Sequence, residues 1–373
     1  MSLSEQKIRQ SNRDTTLILM PIVAIIGKLI QFFILPDKYF YDSSRMQSMM
    51  NKDGKMQAWG DAYETVVDIF SKINYFGFTK IEQWSIELGI VFTILLMIII
   101  SRVKEMSLME SIYTLMATGL LNIYVFVLAK EPIQMFFFMC IMVIVFLPIK
   151  NPVIKLLGGS LIYYWESNTF REYYIMMAVM SLVLFFIFYI LKKMKKIRLI
   201  HVLIVVVFCY AVMFAFVYAS QFAMPEEYKT VMTVRDEYAN QDANTTIANI
   251  WPVEGNYGLF MANYVICSVR MMIPVELIVK SPVYFPFFIY QIWILVYWIK
   301  GLKNLKRLNN DVLLALTFFT AYLFGSFVFE PDFGSWVRHE AATFPLFHIM
   351  AYEYLGRRDI AIRREIYYET TNV

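Results

Sequence analysis

Histidine and cysteine are scarce in this chain of 373 residues, which contains three of each. The cysteines (Cys140, Cys209 and Cys267) are odd in number and lie among apolar residues. We therefore expect them to be small buried side chains and not part of a disulfide framework. The histidines are far apart in the sequence and no cysteine–histidine ligand pattern is present, which argues against a zinc site. We expect no metal and no other cofactor.

Charged residues are also scarce, at 17% of the chain against 59% hydrophobic residues, with a mean hydropathy of +0.53. Repeated apolar runs of about 17–25 residues are long enough to cross the hydrocarbon core as helices. The sequence therefore predicts an all-α integral membrane protein, built as a single polytopic membrane domain over residues 1–373. It contains no P-loop, HExxH or GxSxG motif, so hydrolysis of a nucleotide is not supported, and no nucleic-acid partner is expected.

The apolar runs predict about ten membrane crossings. These are residues 15–35, 85–101, 112–129, 133–149, 154–165, 173–191, 199–219, 283–299, 312–328 and 341–355. The run 154–165 is short for a crossing and contains Gly158 and Gly159. If it only dipped into the membrane, every later crossing would be inverted and later basic segments would lie outside. The charge distribution therefore favours a full crossing.

Short basic connections indicate the orientation, because lysine and arginine concentrate in cytoplasmic loops. With ten crossings, six basic segments share one side and hold more than half of the 34 lysines and arginines. They are the N-terminus with Lys7, Arg9 and Arg13, and the segments SRVKEM, KNPVIK, LKKMKKIR, KGLKNLKR and GRRDIAIRREI. The sequence thus predicts a multi-pass protein with both termini in the cytoplasm.

The opposite side carries the two long loops, residues 36–84 and 220–282. Neither loop is repetitive or rich in glycine and serine, and their aromatic content favours ordered structure on the membrane surface. Within the second loop, residues 259–278 are apolar enough to form an interfacial or re-entrant helix. Such a segment is tolerated at membrane depth only where protein or a water-filled cavity covers it. It is a candidate cavity wall.

Charged residues that an apolar boundary makes costly collect on this outer side. Candidates for binding or catalysis are Asp42, Arg45, Arg171, Arg270, Arg338 and His339. Arginine binds phosphate in bidentate fashion and stays protonated. A histidine can exchange a proton near neutral pH, and a carboxylate near a hydroxyl can act as a general base. This combination suits a substrate with a diphosphate head and a lipid tail.

Structural roles are the alternative for several of these residues. Arg45 and Arg171 can also extend to the lipid headgroups, as interfacial arginines often do. Arg270 is flanked by apolar residues, where an ionisable side chain favours a functional role. The helix after residue 333 needs only a cap such as Ser335, not an adjacent Arg–His pair. Lys28, inside the first crossing, can pair with a carboxylate, line a cavity or extend to the headgroups.

Four segments carry a resemblance to a known family. They are YFYDSSR after the first crossing, NTFREYYIM at the start of a middle crossing, SVRMMIPVELIVKSPVYFPFFIYQ after the second long loop, and DFGSWVRHEAATFPLF at the last crossing. The chain resembles bacterial polysaccharide-assembly proteins, namely the Wzy-type repeat-unit polymerases and their relatives among GT-C glycosyltransferases. The most specific feature is the glycine turn followed by Arg338-His339 and then a proline inside the helix.

The resemblance implies a metal-independent glycosyltransferase of the bacterial cytoplasmic membrane. It would polymerise oligosaccharide repeat units carried on undecaprenyl diphosphate into an extracellular or capsular polysaccharide, at the outer face of that membrane. Its partners would be the lipid-linked oligosaccharide, membrane lipid, and the chain-length regulator and flippase of the same pathway.

Site residues follow from the resemblance position by position. Arg270 and Arg338 match as ligands of the diphosphate, supported by Arg171 and, in the YFYDSSR segment, by Arg45. Asp42 occupies the place of the catalytic acidic residue in the first outer loop of GT-C relatives, and His339 is the second candidate for the base. The chain lacks the second arginine-rich loop of some polymerases.

Two other functions stay open. One is a GT-C-type glycosyltransferase that moves a single sugar from a polyprenyl-phosphate donor. The other is an exporter of lipid-linked oligosaccharides, which is not an enzyme. Transporters commonly show internal repeats and broken helices near the middle of the bilayer. The two halves of this chain show no convincing repeat, and the unusual charges collect on one side. These features favour an enzyme.

Overall fold

A computed structural model describes residues 3–56, 58, 61–169, 171–194, 197–239 and 245–353. It is 81% helical and contains no β-strand in this part of the chain, as the all-α prediction requires. The helices are α1 (Leu3–Phe33), α2 (Tyr41–Asn51), α3 (Asp61–Ile73), α4 (Ile81–Ser101), α5 (Leu108–Leu120), α6 (Glu131–Phe146), α7 (Pro152–Thr169), α8 (Tyr174–Lys192), α9 (Leu199–Ala223), α10 (Pro225–Ala239), α11 (Tyr257–Met272), α12 (Val275–Lys280), α13 (Phe285–Lys303), α14 (Asn310–Phe329), α15 (Phe333–Ala341) and α16 (Phe344–His348).

Among the described residues, seven helices are long and apolar enough to cross a membrane, which indicates a membrane-embedded protein. They are Ser4–Phe33, Ile81–Ser101, Leu108–Val125, Tyr174–Lys192, Leu199–Ala223, Pro282–Lys303 and Asn310–Phe329. Three further predicted crossings are not among the seven. The run 133–149 corresponds to the shorter apolar helix Glu131–Phe146, and 154–165 lies within α7. Ten crossings and the cytoplasmic termini stay predictions.

The last predicted crossing, residues 341–355, is not one continuous helix in its described part. α15 ends at Ala341, a turn follows, and α16 begins at Phe344 with Pro345 in its first turn. Proline supplies no backbone N–H, so the first turn of a helix is where it is best tolerated. Residues 354–355 and the basic segment GRRDIAIRREI lie outside the described residues, as do Lys195 and Lys196 of LKKMKKIR.

Both long outer loops contain helices. Residues 36–84 include α2 and α3, and residues 220–282 include α10, α11 and α12. The predicted interfacial or re-entrant helix 259–278 is divided between α11 and α12, which meet at Ile273-Pro274. Its depth in the membrane stays a prediction.

Residue contacts divide the chain into two compact units. The first unit comprises Met1–Met142, Trp165–Glu172 and Ala341–Val373, and the second comprises Val143–Tyr164 and Tyr173–Glu340. The single polytopic domain stays a prediction.

The first unit is built on α1, which packs against α4 and α5. Apolar side chains such as Met20 and Leu96 are fully buried. At the N-terminal end of α1, the guanidinium of Arg9 lies 3.8 Å from the carboxylates of Glu105 and Glu110. These residues connect the start of α1 to the first turn of α5 and to the segment before it, so part of the predicted cytoplasmic charge has a structural role.

The second unit surrounds α14, whose apolar span is 94% buried. α8 packs closely on it because Gly325 has no side chain, and a Cβ there would lie 2.8 Å from Cε of Met177. Polar side chains at this depth are paired, as the indole of Trp298 donates to the hydroxyl of Thr320 at 2.9 Å. Buried donors without partners would cost about 1–3 kcal/mol each, so such pairs preserve the stability of an apolar helix.

Candidate functional site

The carboxylate of Asp42 is held by a tyrosine from another helix of the first unit. The hydroxyl of Tyr63, on α3, donates to Oδ1 of Asp42 at 2.7 Å. Asp42 lies in the first turn of α2, where the helix dipole favours a negative charge. Tyr63 shares the buried face of α3 with Val66 and Phe70, at the spacing of an amphipathic helix. Burial of this face therefore fixes the hydroxyl that binds Asp42.

Two cations lie against the same tyrosine ring. The guanidinium carbon of Arg45 is 5.7 Å from the ring centroid of Tyr63 and 5.1 Å from that of Tyr41. The ammonium of Lys130 is 4.1 Å from the Tyr63 centroid. All three distances are within the range of cation–π attraction. Arg45 follows Asp42 by three residues, so both side chains share one face of α2.

Arg171 joins the same region through Gln134. Its Nη1 donates to Oε1 of Gln134 at 3.0 Å. The N–H of Gln134 donates to the carbonyl of Lys130 at 3.1 Å, so the two residues are one helical turn apart at the start of α6. Arg45 and Arg171 are 5% and 8% exposed, which is inconsistent with arginines that extend to the lipid headgroups. Both are packed inside the protein.

We name this group the Tyr63 cluster; its members are Asp42, Arg45, Tyr63, Lys130, Gln134 and Arg171. Two buried glutamates are connected to it through the backbone. Glu131 follows Lys130 in the chain, and the carbonyl of Glu166 accepts the N–H of Arg171 at 3.4 Å. The buried guanidinium groups of Arg45 and Arg171 have partners in the ring of Tyr63 and in the amide of Gln134, as buried charges require.

The second unit contains a histidine–carboxylate pair. Nδ1 of His339 lies 2.6 Å from Oε1 of Glu330, and the side chains are 13% and 4% exposed. Glu330 follows α14, and Arg235 covers the end of that helix by donating to the carbonyls of Glu330, at 3.2 Å, and of Phe327. A cation is favourable at the C-terminal end of a helix dipole. The backbone that carries Glu330 is thus buried and held in place by Arg235.

A second buried carboxylate lies next to His339 in the chain. Glu340 is fully buried and accepts from Nε2 of Gln291 at 3.1 Å, while Oε1 of Gln291 accepts from the indole of Trp336 at 3.1 Å. Burial raises the pKa of Glu340 to about 8, although the hydrogen bond from Gln291 opposes this effect and the nearby Glu330 adds a smaller increase. A carboxyl group with such a pKa is mostly protonated at neutral pH. We name the group around the His339–Glu330 pair the Glu330 cluster; its members are Arg235, Gln291, Glu330, Trp336, His339 and Glu340.

Asp332 caps α15, and Ser335 does not. The backbone N–H of Ser335 donates to Oδ1 of Asp332 at 2.9 Å, and its hydroxyl donates to Oδ2 at 2.7 Å. Nη2 of Arg338 lies 3.4 Å from the same hydroxyl, and its side chain is half-buried. An isolated β-bridge between Thr246 and Asp332 connects this turn to the second long loop.

The guanidinium of Arg270 donates hydrogen bonds to several partners. Its Nε and Nη2 donate to the two carboxylate oxygens of Glu276 at 2.7 and 2.9 Å, and Nη1 donates to the carbonyl of Ala248 at 2.6 Å. The Glu276 hydrogen bonds, with the charge of that carboxylate, raise the pKa of Arg270 against the opposing effect of burial. The contact with Ala248 connects α11 to the strand-like segment beside Asp332.

The predicted site residues thus divide into two sets. The structure brings Asp42, Arg45 and Arg171 together in the first unit. It places Arg270, Arg338 and His339 in the second unit, where Arg270 and Arg338 have different partners. The two candidates for the base, Asp42 and His339, belong to different units. Their assignments as base and as diphosphate ligands stay predictions.

Several residues of the two clusters could not be identified from the sequence. Tyr63 is one of 25 tyrosines, and Lys130 and Gln134 lie in and just after a turn with no distinctive motif. Glu330 had the clearest signal, as a carboxylate between an apolar run and Pro331. The sequence singled out Lys28 as an unusual charge inside a crossing. Its ammonium donates to backbone carbonyls and not to a carboxylate.

Within the described residues, no group of three or more histidine, cysteine, aspartate or glutamate side chains could hold a metal ion. No family model, curated protein or solved structure matches this chain.

Proposed function

We propose that this protein is a membrane glycosyltransferase that polymerises oligosaccharide repeat units carried on undecaprenyl diphosphate, at the outer face of a bacterial cytoplasmic membrane. The observation that supports this best is the Tyr63 cluster. A carboxylate held by a tyrosine hydroxyl, Asp42, shares one aromatic ring with the cations Arg45 and Lys130. A base and positive charge in one place are what transfer from a diphosphate donor requires.

The proposed step balances without a nucleotide. A hydroxyl of the acceptor sugar forms a bond to the anomeric carbon of the donor. The bond from that carbon to the diphosphate oxygen breaks, and undecaprenyl diphosphate leaves with the electron pair. Asp42 accepts the proton of the hydroxyl, while the cations stabilise the negative charge that builds on the leaving oxygen.

The charges of the cluster support this coupling. Asp42 is its carboxylate, and Arg45, Lys130 and Arg171 are its cations. When Asp42 takes up a proton, the cluster gains one unit of positive charge, at the time when negative charge develops on the diphosphate. Because Arg45 and Arg171 are buried and Asp42 and Lys130 are only partly exposed, this change is less screened than it would be in bulk water.

The long apolar helices suit a substrate with a polyprenyl tail. Such a tail can stay in the bilayer while the diphosphate reaches a polar cluster of the protein. The two binding elements, a hydrocarbon tail and an anionic head, would position the donor before reaction and so reduce the entropic part of the barrier.

Deletion of the gene followed by analysis of lipid-linked glycans tests the proposal. A polymerase predicts that single, complete repeat units accumulate on undecaprenyl diphosphate at the outer face of the membrane. A repeat unit shortened by one sugar would instead identify a transferase that uses a polyprenyl-phosphate donor. Loss of all outward-facing repeat units would identify an exporter. Normal polymer would contradict all three.

Complementation with variants tests the site. Asp42→Asn and Arg171→Ala should each abolish polymer, while the protein remains folded in the membrane. Asp68 and Lys72 form an exposed ion pair on α3, the helix that carries Tyr63, so Asp68→Asn and Lys72→Ala are matched controls. If Asp42→Asn leaves the polymer intact and His339→Gln abolishes it, the Tyr63 cluster is not the reacting site.

A further inference from the structure

Lys28 has an unusual set of partners for a lysine inside an apolar span. Its ammonium donates to the carbonyls of Asn122 and Phe126, at 2.6 Å each, and to Oε1 of Gln31 at 3.0 Å. All three partners are uncharged, and together they use the three donors of the ammonium group. A charge at this depth is costly unless every donor is satisfied, and ionisable residues inside spans mark functional positions.

The two backbone carbonyls can accept from Lys28 because the chain after α5 changes its hydrogen-bond pattern. Residues Leu121–Val125 form a π-helix, and the N–H of Phe126 donates to the carbonyl of Leu121 at 2.8 Å. In an α-helix the same N–H would donate to the carbonyl of Asn122. Lys28 donates to that carbonyl instead. The ammonium and the α-helical N–H therefore compete for one acceptor, and Lys28 favours the π-helical register.

Neighbouring helices leave space for this arrangement. A Cβ on Gly89, in α4, would lie 2.6 Å from Cε of Lys28 and 3.2 Å from Oδ1 of Asn122. The side chain of Asn122 is fixed by Thr93 of α4, whose hydroxyl accepts from Nδ2 at 3.0 Å. Glycine is the residue that permits a close approach of this kind. Gly89 thus keeps Lys28 next to the π-helix.

The π-helix leads directly to the Tyr63 cluster. The chain leaves helical structure at Phe126, whose ring stacks on Phe92 at 5.0 Å between centroids. Phe126, Val127, Leu128 and Ala129 are all at most 2% exposed. Lys130 follows and lies against Tyr63. Because these four residues are buried and cannot move freely, the hydrogen-bond register of the π-helix determines where Lys130 lies in the cluster.

We infer that Lys28 is a positioning residue, which holds the π-helical register of residues 121–125 and so places Lys130 in the Tyr63 cluster. The inference rests on the proposed function of that cluster. A π-helix contains one residue more than the α-helix that would replace it. Rewinding would rotate the following residues by about 100° around the helix axis, as one α-helical residue does. The ammonium of Lys130 would then leave the ring of Tyr63.

A double-mutant comparison tests the inference. Membrane vesicles from the deletion strain, which contain accumulated lipid-linked repeat units, supply the substrate, and the rate of polymer formation is measured. Lys28→Met removes the donors at similar length, and we expect a loss of at least about 100-fold, since a misplacement of only about 1 Å at a reacting site can already cost that much. In a Lys130→Met background, the same substitution should change the rate by less than about twofold, because its effect passes through Lys130. Independent, multiplicative losses would overturn the inference.

Gln31→Leu is the matched control. Gln31 lies on α1 three residues after Lys28 and donates to the hydroxyl of Ser85 at 2.9 Å. Its removal takes one acceptor from Lys28 but leaves both backbone carbonyls bound, so the loss of rate should be much smaller than that caused by Lys28→Met. A loss as large as that of Lys28→Met would indicate a general effect on packing and would also overturn the inference.

Gly89→Ala separates folding from positioning. It displaces the Lys28 ammonium while the charge is kept, so it should reproduce the loss caused by Lys28→Met, again without a further loss in the Lys130→Met background. Each variant is compared for its amount in the membrane and its elution as a folded species. If Asp42→Asn and Lys130→Met have no effect, the proposed function of the cluster fails. If Asp42→Asn abolishes polymer and Lys130→Met lowers the rate to a measurable residual value, but Lys28→Met keeps the wild-type rate, only the positioning role fails.

Discussion

Nδ1 of His339 lies 2.6 Å from Oε1 of Glu330, and the carboxylate is almost completely buried. A hydrogen bond to a charged group contributes about 1.5–3 kcal/mol. We therefore expect the double-mutant cycle of His339→Ala and Glu330→Ala to give a coupling free energy in this range. The free energy of unfolding in detergent is the measurement. Glu237→Gln on α10, which removes an exposed carboxylate, is the control. Additive effects of the two substitutions would show that the pair contributes nothing to stability.

Tyr63→Phe should slow polymer formation without removing the ring that the cations contact. The substitution deletes the hydroxyl that donates to Asp42 at 2.7 Å. A hydrogen bond to a charged group contributes about 1.5–3 kcal/mol, so a loss of about 10–100-fold in rate is expected if the bond orients the base. Tyr75→Phe, at an 87% exposed tyrosine that follows α3, should leave the rate unchanged. An equal rate in both variants would contradict a role for the hydroxyl.

The second unit should lose stability as the pH rises through neutrality. Burial raises the pKa of Glu340 from 4.5 to about 8, although the hydrogen bond from Gln291 opposes this effect and Glu330 adds a smaller increase. The unfolded chain releases this proton near pH 4.5 and the folded protein near pH 8, so the folded state binds more protons between these values. The stabilisation is complete below pH 4.5 and is lost as the pH approaches 8.

Thermal unfolding of Glu340→Gln measures this effect. The amide replaces a neutral carboxyl group, so the variant should lack the part of the pH dependence that Glu340 causes. The melting temperature of the wild type should fall more steeply than that of the variant between pH 5 and pH 8. Parallel curves would mean that Glu340 is already ionised in the folded protein.

The predicted orientation can be tested with accessibility tags at two exposed turns. A cysteine in place of Lys55 should react with an impermeant reagent from outside, and one in place of Lys306 should react only after permeabilisation. The native cysteines Cys140, Cys209 and Cys267 are first replaced by serine. The reverse pattern would place the Tyr63 cluster on the cytoplasmic side and contradict a reaction at the outer face.

The sequence by itself determined the class of this protein. Long apolar runs can be satisfied only as helices in a lipid environment, because every backbone polar group must then bond within its own segment. That is why α1, α4, α8, α9, α13 and α14 agree with predicted crossings. Charges beside such runs are costly, so Asp42, Arg45 and Arg171 were recognisable as unusual without any structure.

Tertiary structure alone decided which groups meet. Tyr63, Lys130 and Gln134 join the predicted residues because α3 packs against α2 and Lys130, just before α6, lies against the ring of Tyr63. Such pairing depends on side-chain complementarity that local sequence does not encode. The π-helix at residues 121–125 differs from an α-helix by one hydrogen-bond register, which leaves the apolar pattern almost unchanged. The ammonium of Lys28, from a helix about 90 residues earlier, decides between the two registers by occupying the carbonyl of Asn122.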